Sequence, residues 1–340
     1  MEKCRRKVWI TWLLIVTLMV GSVPAPGLAE TTSGKDKGMW AWFPNEDINT
    51  EKARQDLVEF SKEKGINVIY LNIGVREGVP QVPPFPYRHM HPKFGVGNQE
   101  GTPYLQLHPE QYQKFIKLAH ENDIEVIALD GASEWAKKQN HKTPIKRIVQ
   151  VAKYNKFSKE EEQFDGIQLD IEPYLLDEWE TEERSQLIQD YLNGLNKLDK
   201  IAADHHMDFM IAMPFWFDGD EYVSDYNNVT KPLSDHTMDI VDTVAIMAYR
   251  DTAEGKDSKM YHSEHELEYA DENGKTAVIA VETQNLEGIV EPYYEKVSYF
   301  EEGEAYMNDN LEIVDAAYAD HPGYGGQAIH KYQSYRSMKP

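Results

Sequence analysis

The sequence predicts an α/β protein, a single (β/α)8 (TIM) barrel with a long loop after its second strand. Short apolar runs alternate with amphipathic stretches along the chain, and eight such runs can be placed. Alternating β and α elements imply a parallel sheet with right-handed crossovers, and eight strands over about 300 residues suit a closed barrel. The competitor is an open doubly wound sheet, which carries a Gly-rich phosphate turn after its first strand. Trp40-Ala41-Trp42-Phe43-Pro44 has no glycine at that place.

The first 29 residues read as an export signal. Lys3, Arg5, Arg6 and Lys7 form a basic start, and residues 8–20 are a thirteen-residue apolar core. A breaker stretch then leads to Ala29, with Gly27 two positions before it, which fits cleavage near Ala29. A membrane span needs roughly 20 apolar residues, more than this core offers. The expected destination is secretion, or the cell-envelope space, with no stable membrane anchor after cleavage. Residues 30–37 are polar and expected to be a flexible tail, so the barrel is assigned to residues 38–340.

The eight apolar runs are residues 39–43, 67–73, 125–129, 166–171, 209–213, 243–248, 277–281 and 326–329. Helical patterns lie between most of them, at residues 50–64, 109–122, 144–157, 180–205, 262–273 and 300–320. In the fourth, Leu187, Ile188, Tyr191, Leu192, Leu195, Leu198 and Ile201 recur at three- and four-residue spacing, an amphipathic period. The fifth crossover, around residues 232–240, is short. Residues 74–108, rich in Pro, Gly and aromatics, form the long loop after strand two. In a barrel that loop belongs to the C-terminal rim, where active sites are built.

Composition narrows the partners. The 340 residues carry 35 Lys+Arg against 58 Asp+Glu, a formal charge of −23. Signal cleavage removes four basic residues and one acid, which makes the charge −26, and takes away Cys4, the single cysteine. So acidic a surface repels phosphate backbones and anionic headgroups, which argues against nucleic-acid or membrane-surface binding. The exported chain has no thiol, disulfide or Cys-ligated metal. Pairs such as His89/His91, His205/His206 and His262/His265 lack the spacing of zinc hydrolases, and no Ser nucleophile elbow or P-loop is present. No metal or cofactor is expected.

The chemistry concentrates in strand four, Asp165-Gly166-Ile167-Gln168-Leu169-Asp170-Ile171-Glu172-Pro173-Tyr174. Side chains alternate along a strand, so Gln168, Asp170 and Glu172 share one face and Ile167, Leu169 and Ile171 the other. The Ile/Leu face suits burial under helices, which turns the polar face into the barrel. Two carboxyls roughly 6–7 Å apart along a strand raise each other's proton affinity, and one can stay protonated to serve a leaving group. A buried hydrogen-bond network and a calcium site are the other uses of such acids.

This segment resembles the fourth-strand signature of the family-18 glycoside hydrolases, D-G-x-D-x-D-x-E, the chitinase-like barrels. The resemblance implies that Glu172 is the general acid. It implies that Asp170 orients the 2-acetamido group of the substrate, which attacks the anomeric carbon. Met247-Ala248-Tyr249 at the end of strand six resembles that family's Met-x-Tyr element, whose tyrosine bonds the acetamido carbonyl. The chain departs from the family at Gln168, in place of the middle Asp, and at Ala128-Leu129-Asp130-Gly131, in place of Ser-x-Gly-Gly. It also has Glu172-Pro173-Tyr174 rather than Glu-Tyr-Pro, and Ile329-His330-Lys331-Tyr332 without a tryptophan in strand eight.

A second scheme comes from Val281-Glu282-Thr283 at the end of strand seven. Glu172-Pro173 resembles the acid/base corner of retaining glycosidases with catalytic Glu residues after strands four and seven. There Glu172 is the acid/base and Glu282 the nucleophile, with carboxyls about 5–5.5 Å apart. Candidate sugar contacts are the aromatic residues Trp40, Trp42, Tyr174 and Trp216, with Gln168 from strand four and Asn72 and Asp130 at the ends of strands two and three; core packing is the other role open to each Trp, and a hydrogen-bonded loop cap to Asn72 and Asp130. The expected partner is a polysaccharide or oligosaccharide, neutral or N-acetylated, and the expected reaction is hydrolysis of an O-glycosyl bond. The non-enzyme alternative is a carbohydrate-binding barrel without turnover, against which the carboxyl kept at position 172 argues.

Overall fold

Eight parallel strands close on themselves in a computed structural model that describes residues 35–74, 103–290, 292 and 294–340. They are β1 (Asp36–Ala41), β2 (Val68–Asn72), β3 (Glu125–Gly131), β4 (Gly166–Asp170), β5 (Asp208–Pro214), β6 (Thr243–Met247), β7 (Thr276–Glu282) and β8 (Tyr324–His330). Each pairs in parallel with its sequence neighbours, and β8 pairs with β1 to close the ring. The (β/α)8 barrel expected from the alternation is the fold. The expected export signal, residues 1–29, and most of the loop after β2 lie outside the described residues.

Helices α1 (Glu51–Glu63), α2 (Pro109–His120), α3 (Lys142–Phe157), α4 (Arg184–Asp204), α5 (Leu233–Ile240), α6 (Glu264–Asn273) and α7 (Glu304–Tyr318) supply the crossovers. The Thr50 hydroxyl caps α1 by accepting from the Ala53 N–H at 3.1 Å. The periodic stripe of α4 is buried from Leu187 to Leu198, as its spacing predicts. None of the helices among the described residues is long and apolar enough to cross a membrane.

Two details differ from the sequence expectation. Asp36 and Lys37 belong to β1 rather than to a flexible tail, because they pair with Gly326 and Gln327 of β8. The fifth crossover holds, besides α5, an antiparallel hairpin of Ser224–Tyr226 with Val229–Lys231. Asn227 and Asn228, both at positive φ, form its two-residue turn.

Two apolar layers follow from the two strand faces. Ile167, Leu169, Ile171 and their counterparts pack under the helices. Trp40, Trp42, Val68, Tyr70, Ile127, Leu129, Ala212, Ala245, Val278, Ala280 and Ala328 fill the lumen. Small residues there make room for large ones: a Cβ on Gly38 would stand 2.7 Å from the Tyr70 ring. Trp40 stacks on Tyr70 with centroids 5.0 Å apart.

Candidate active site

The lumenal phase of each strand decides which side chains reach the mouth. Along β4 it runs Gly166, Gln168, Asp170 and then Glu172 just beyond the strand. Gln168 is buried, and its Oε1 accepts from the Trp40 indole N–H at 2.7 Å. These two predicted sugar contacts are brought together as a pair below the mouth. Asp170 and Glu172 are both half-buried. Asp170 stands opposite Gly131 of β3, where a Cβ would meet the Asp170 Cβ at 2.7 Å, so this glycine lets β3 and β4 approach beside the carboxylate.

Glu172 lies where β4 gives way to the 3₁₀ turn Pro173–Leu175. The turn folds Tyr174 back, and its hydroxyl donates to Glu172 Oε1. Burial, then the charge of Glu172 and this hydrogen bond, pushes the Tyr174 phenol well above its ordinary range, so it stays a donor. Tyr174 packs edge-on against Trp216 with centroids 4.9 Å apart. Trp216 is half-buried after β5 and tilts against Tyr222 at 4.8 Å, so it belongs to an aromatic cluster with Trp179 and Phe217.

Tyr249, two residues past β6, is half-buried and packs with the lumenal cluster. Burial raises its phenol well above the ordinary range, and the charges of Glu282, Asp170 and Glu172 add to the rise. One hydroxyl therefore feels all three acids named by the sequence. It remains protonated and able to donate.

Glu282 ends β7 and is 2 % exposed. Its Oε1 accepts from the backbone N–H groups of Thr283 and Gln284, both at 2.8 Å. Its Oε2 bonds His330 Nδ1 at 2.9 Å, across a register that pairs His330 with Glu282. His330 Nε2 in turn accepts from the Trp42 indole N–H at 2.9 Å. Trp42, only 5 % exposed, is thus bound from the end of β1 into a chain with β8 and β7.

Asn72 and Asp130 are buried rather than presented at the rim. The Asn72 amide donates to the Leu129 carbonyl at 3.3 Å. Asp130 follows inward Leu129 by one residue and so faces the helices, where Arg147 of α3 donates to Oδ2 at 2.6 Å. It ties sheet to helix, closer to the hydrogen-bonded structural role than to that of a hydroxyl ligand at the rim. His330, beside Glu282 and Trp42, is not among the candidates read from the sequence. Its sequence signal is the phase of β8, in which Gly326, Ala328 and His330 share the lumenal face. Among the described residues, no group of three His, Cys, Asp or Glu is disposed to hold a metal ion.

No protein-family model and no curated protein matches the sequence. Among solved structures, the chain is similar to a GH18 chitinase from Pseudoalteromonas aurantia, with 11% identity over 88% of this chain and 95% of that one and a TM-score of 0.51. It is similar to a chitinase from Bacteroides thetaiotaomicron, with 14% identity, 88% and 90% coverage and a TM-score of 0.50. The spore cortex-lytic enzyme SleL of Bacillus megaterium matches at 16% identity over 76% of this chain with a TM-score of 0.43, and this chain spans 52% of its length. At these identities the likeness is one of fold. The barrel read from the sequence is the fold of the family-18 chitinases, the family that its fourth-strand motif resembles.

Proposed function

We propose that this chain is a secreted glycoside hydrolase that cuts a neutral or N-acetylated polysaccharide, with Glu172 as general acid and Asp170 and Tyr249 assisting. The contrast among the three carboxylates carries this reading. Asp170 and Glu172 are half-buried, whereas Glu282 is 2 % exposed with both oxygens engaged. A nucleophile needs a lone pair free to reach the anomeric carbon. Glu282 is therefore the weaker partner for Glu172, and the acetamido-assisted scheme is favoured over the retaining scheme with an enzyme nucleophile.

In that scheme the acetamido oxygen attacks the anomeric carbon as the bond to the leaving oxygen breaks. Glu172 gives its proton to the departing oxygen. Tyr174 donates to Oε1 of Glu172 and so orients the carboxyl for that transfer. Asp170 accepts from the acetamido N–H as positive charge develops, and the Tyr249 hydroxyl donates to the acetamido oxygen. The Glu172 carboxylate then takes a proton from water, which opens the cyclic intermediate at the anomeric carbon. Half-buried Trp216 offers an apolar face to the sugar, Trp42, 5 % exposed, would line the site from beneath, and the acidic surface disfavours anionic glycans.

The test is a glycan panel with wild type and three variants. Glu172→Gln is expected to lower kcat by about 10²–10⁴-fold, the usual share of a general acid. Asp170→Asn should lose turnover, while Glu282→Gln should keep most of its kcat. Undiminished hydrolysis by Glu172→Gln would sink the proposal. Binding without turnover in the wild type would favour a carbohydrate-binding barrel.

A further inference from the structure

Trp42, His330 and Glu282 form a chain whose protons can be placed from donor chemistry alone. An indole nitrogen only donates, so His330 Nε2, 2.9 Å from Trp42 Nε1, must carry a lone pair. The ring proton is then on Nδ1, aimed at Glu282 Oε2 at 2.9 Å. Glu282 is a pure acceptor in this arrangement, because Thr283 and Gln284 donate two backbone N–H groups to its other oxygen. Every proton in the chain has one place. The His330 backbone is pinned as well, since its carbonyl accepts from the Thr283 N–H at 2.8 Å and from the Thr283 hydroxyl at 2.9 Å.

The imidazole is also the contact point of three aromatic residues of the lumenal cluster. Trp40, Trp42 and Tyr249 lie 6.1, 6.3 and 6.2 Å from it, centroid to centroid. The bond from the Trp42 indole nitrogen ties the orientation of that ring to a lone pair on His330 Nε2.

We propose that His330, held by Glu282 as the Nδ1–H tautomer, is a positioning residue that fixes the Trp42 indole as a wall of the sugar site. Glu282 acts through His330 and not on the sugar. The role of Trp42 toward sugar rests on the hydrolase reading above; the tautomer rests on hydrogen-bond geometry and is measured without substrate.

Glu282→Gln separates this role from nucleophilic catalysis. When the oxygen of the new amide accepts from the two backbone N–H groups, its NH₂ group turns toward Nδ1. The ring proton then moves to Nε2 and confronts the Trp42 N–H, donor against donor. The experiment combines long-range nitrogen–proton NMR of His330 with steady-state kinetics on the best glycan of the panel and titration of a non-cleaved oligosaccharide by tryptophan fluorescence. Expected results are Nδ1–H in wild type, Nε2–H in Glu282→Gln, and oligosaccharide binding and KM weakened about tenfold, the value of one hydrogen bond, with a smaller change in kcat. His330→Gln, which keeps an acceptor for the indole, should recover binding relative to His330→Leu. An Nε2–H wild type overturns the proposal. So does a Glu282→Gln variant with normal binding and abolished kcat, which would make Glu282 a chemical participant. A wild type that turns over no glycan but has the Nδ1–H tautomer, and loses oligosaccharide binding in Glu282→Gln, defeats the hydrolase reading and leaves the positioning role standing.

Discussion

Asp47 shows how one buried acid near the mouth couples stability to pH. Its carboxyl accepts from the Phe43 N–H at 3.1 Å and the Gln333 amide at 2.6 Å, linking the segment after β1 to the helical turn Tyr332–Tyr335 after β8. Burial nevertheless raises its pKa from 3.8 to about 7, against the lowering by those bonds. A raised acid holds its proton in the folded state while the unfolded chain releases it. Stability is therefore lost as pH climbs from about 4 to about 7. Asp47→Asn should gain on wild type in thermal midpoint across that window and level off above it, and melts at pH 4.5, 6 and 8 would check it. A gap that narrows with rising pH would contradict the sign. Glu266 of α6 follows the same direction, since it is fully buried and raised well above its ordinary value by desolvation.

At the scale of elements, strand phase separates acids that were alike in the sequence. Asp130, Asp170 and Glu282 all stand at strand ends. Asp170 and Glu282 fall in the lumenal phase, whereas Asp130 alternates out toward α3. Its phase was legible from inward Leu129, but its partner was not, because Arg147 comes from a helix 17 residues further on. Removing one member of a buried ion pair leaves the other charge uncompensated, at a cost of about 3–5 kcal/mol. Arg147→Met should lower the unfolding free energy by that order, and the double variant with Asp130→Asn should recover most of it. Chemical denaturation of both decides; equal losses in the two would mean that packing, not charge, holds this contact.

For the whole molecule, closure of the barrel depends on the seam between β1 and β8. Gly326 has φ +116°, and a Cβ there would lie 2.6 Å from the backbone nitrogen of Asp36. The register shift in β8 falls between Tyr324 and Gly326, and β1 begins its pairing opposite Gly326. Gly326→Ala is expected to strain the seam by about 1–3 kcal/mol for the backbone conformation alone, and more for the clash. A lower denaturation midpoint, with weakened protection from hydrogen exchange in β1 and β8 first, is the expected outcome. Uniform weakening of all eight strands would argue against a seam.

The sequence by itself determined the eight-strand rhythm, the polar phase of β4 and the pairing of Asp170 with Glu172 on one face. These follow from alternation and periodicity, which are properties of neighbouring residues. Only the tertiary structure decided which distant side chains meet. Trp42, Glu282 and His330 become neighbours because β8 lies between β7 and β1 in the closed ring. Gln168 becomes the acceptor of Trp40, and Tyr249 enters the field of three carboxylates, for the same reason. Strand order and register bring these residues together across the lumen, and neither is written in any local stretch of the chain.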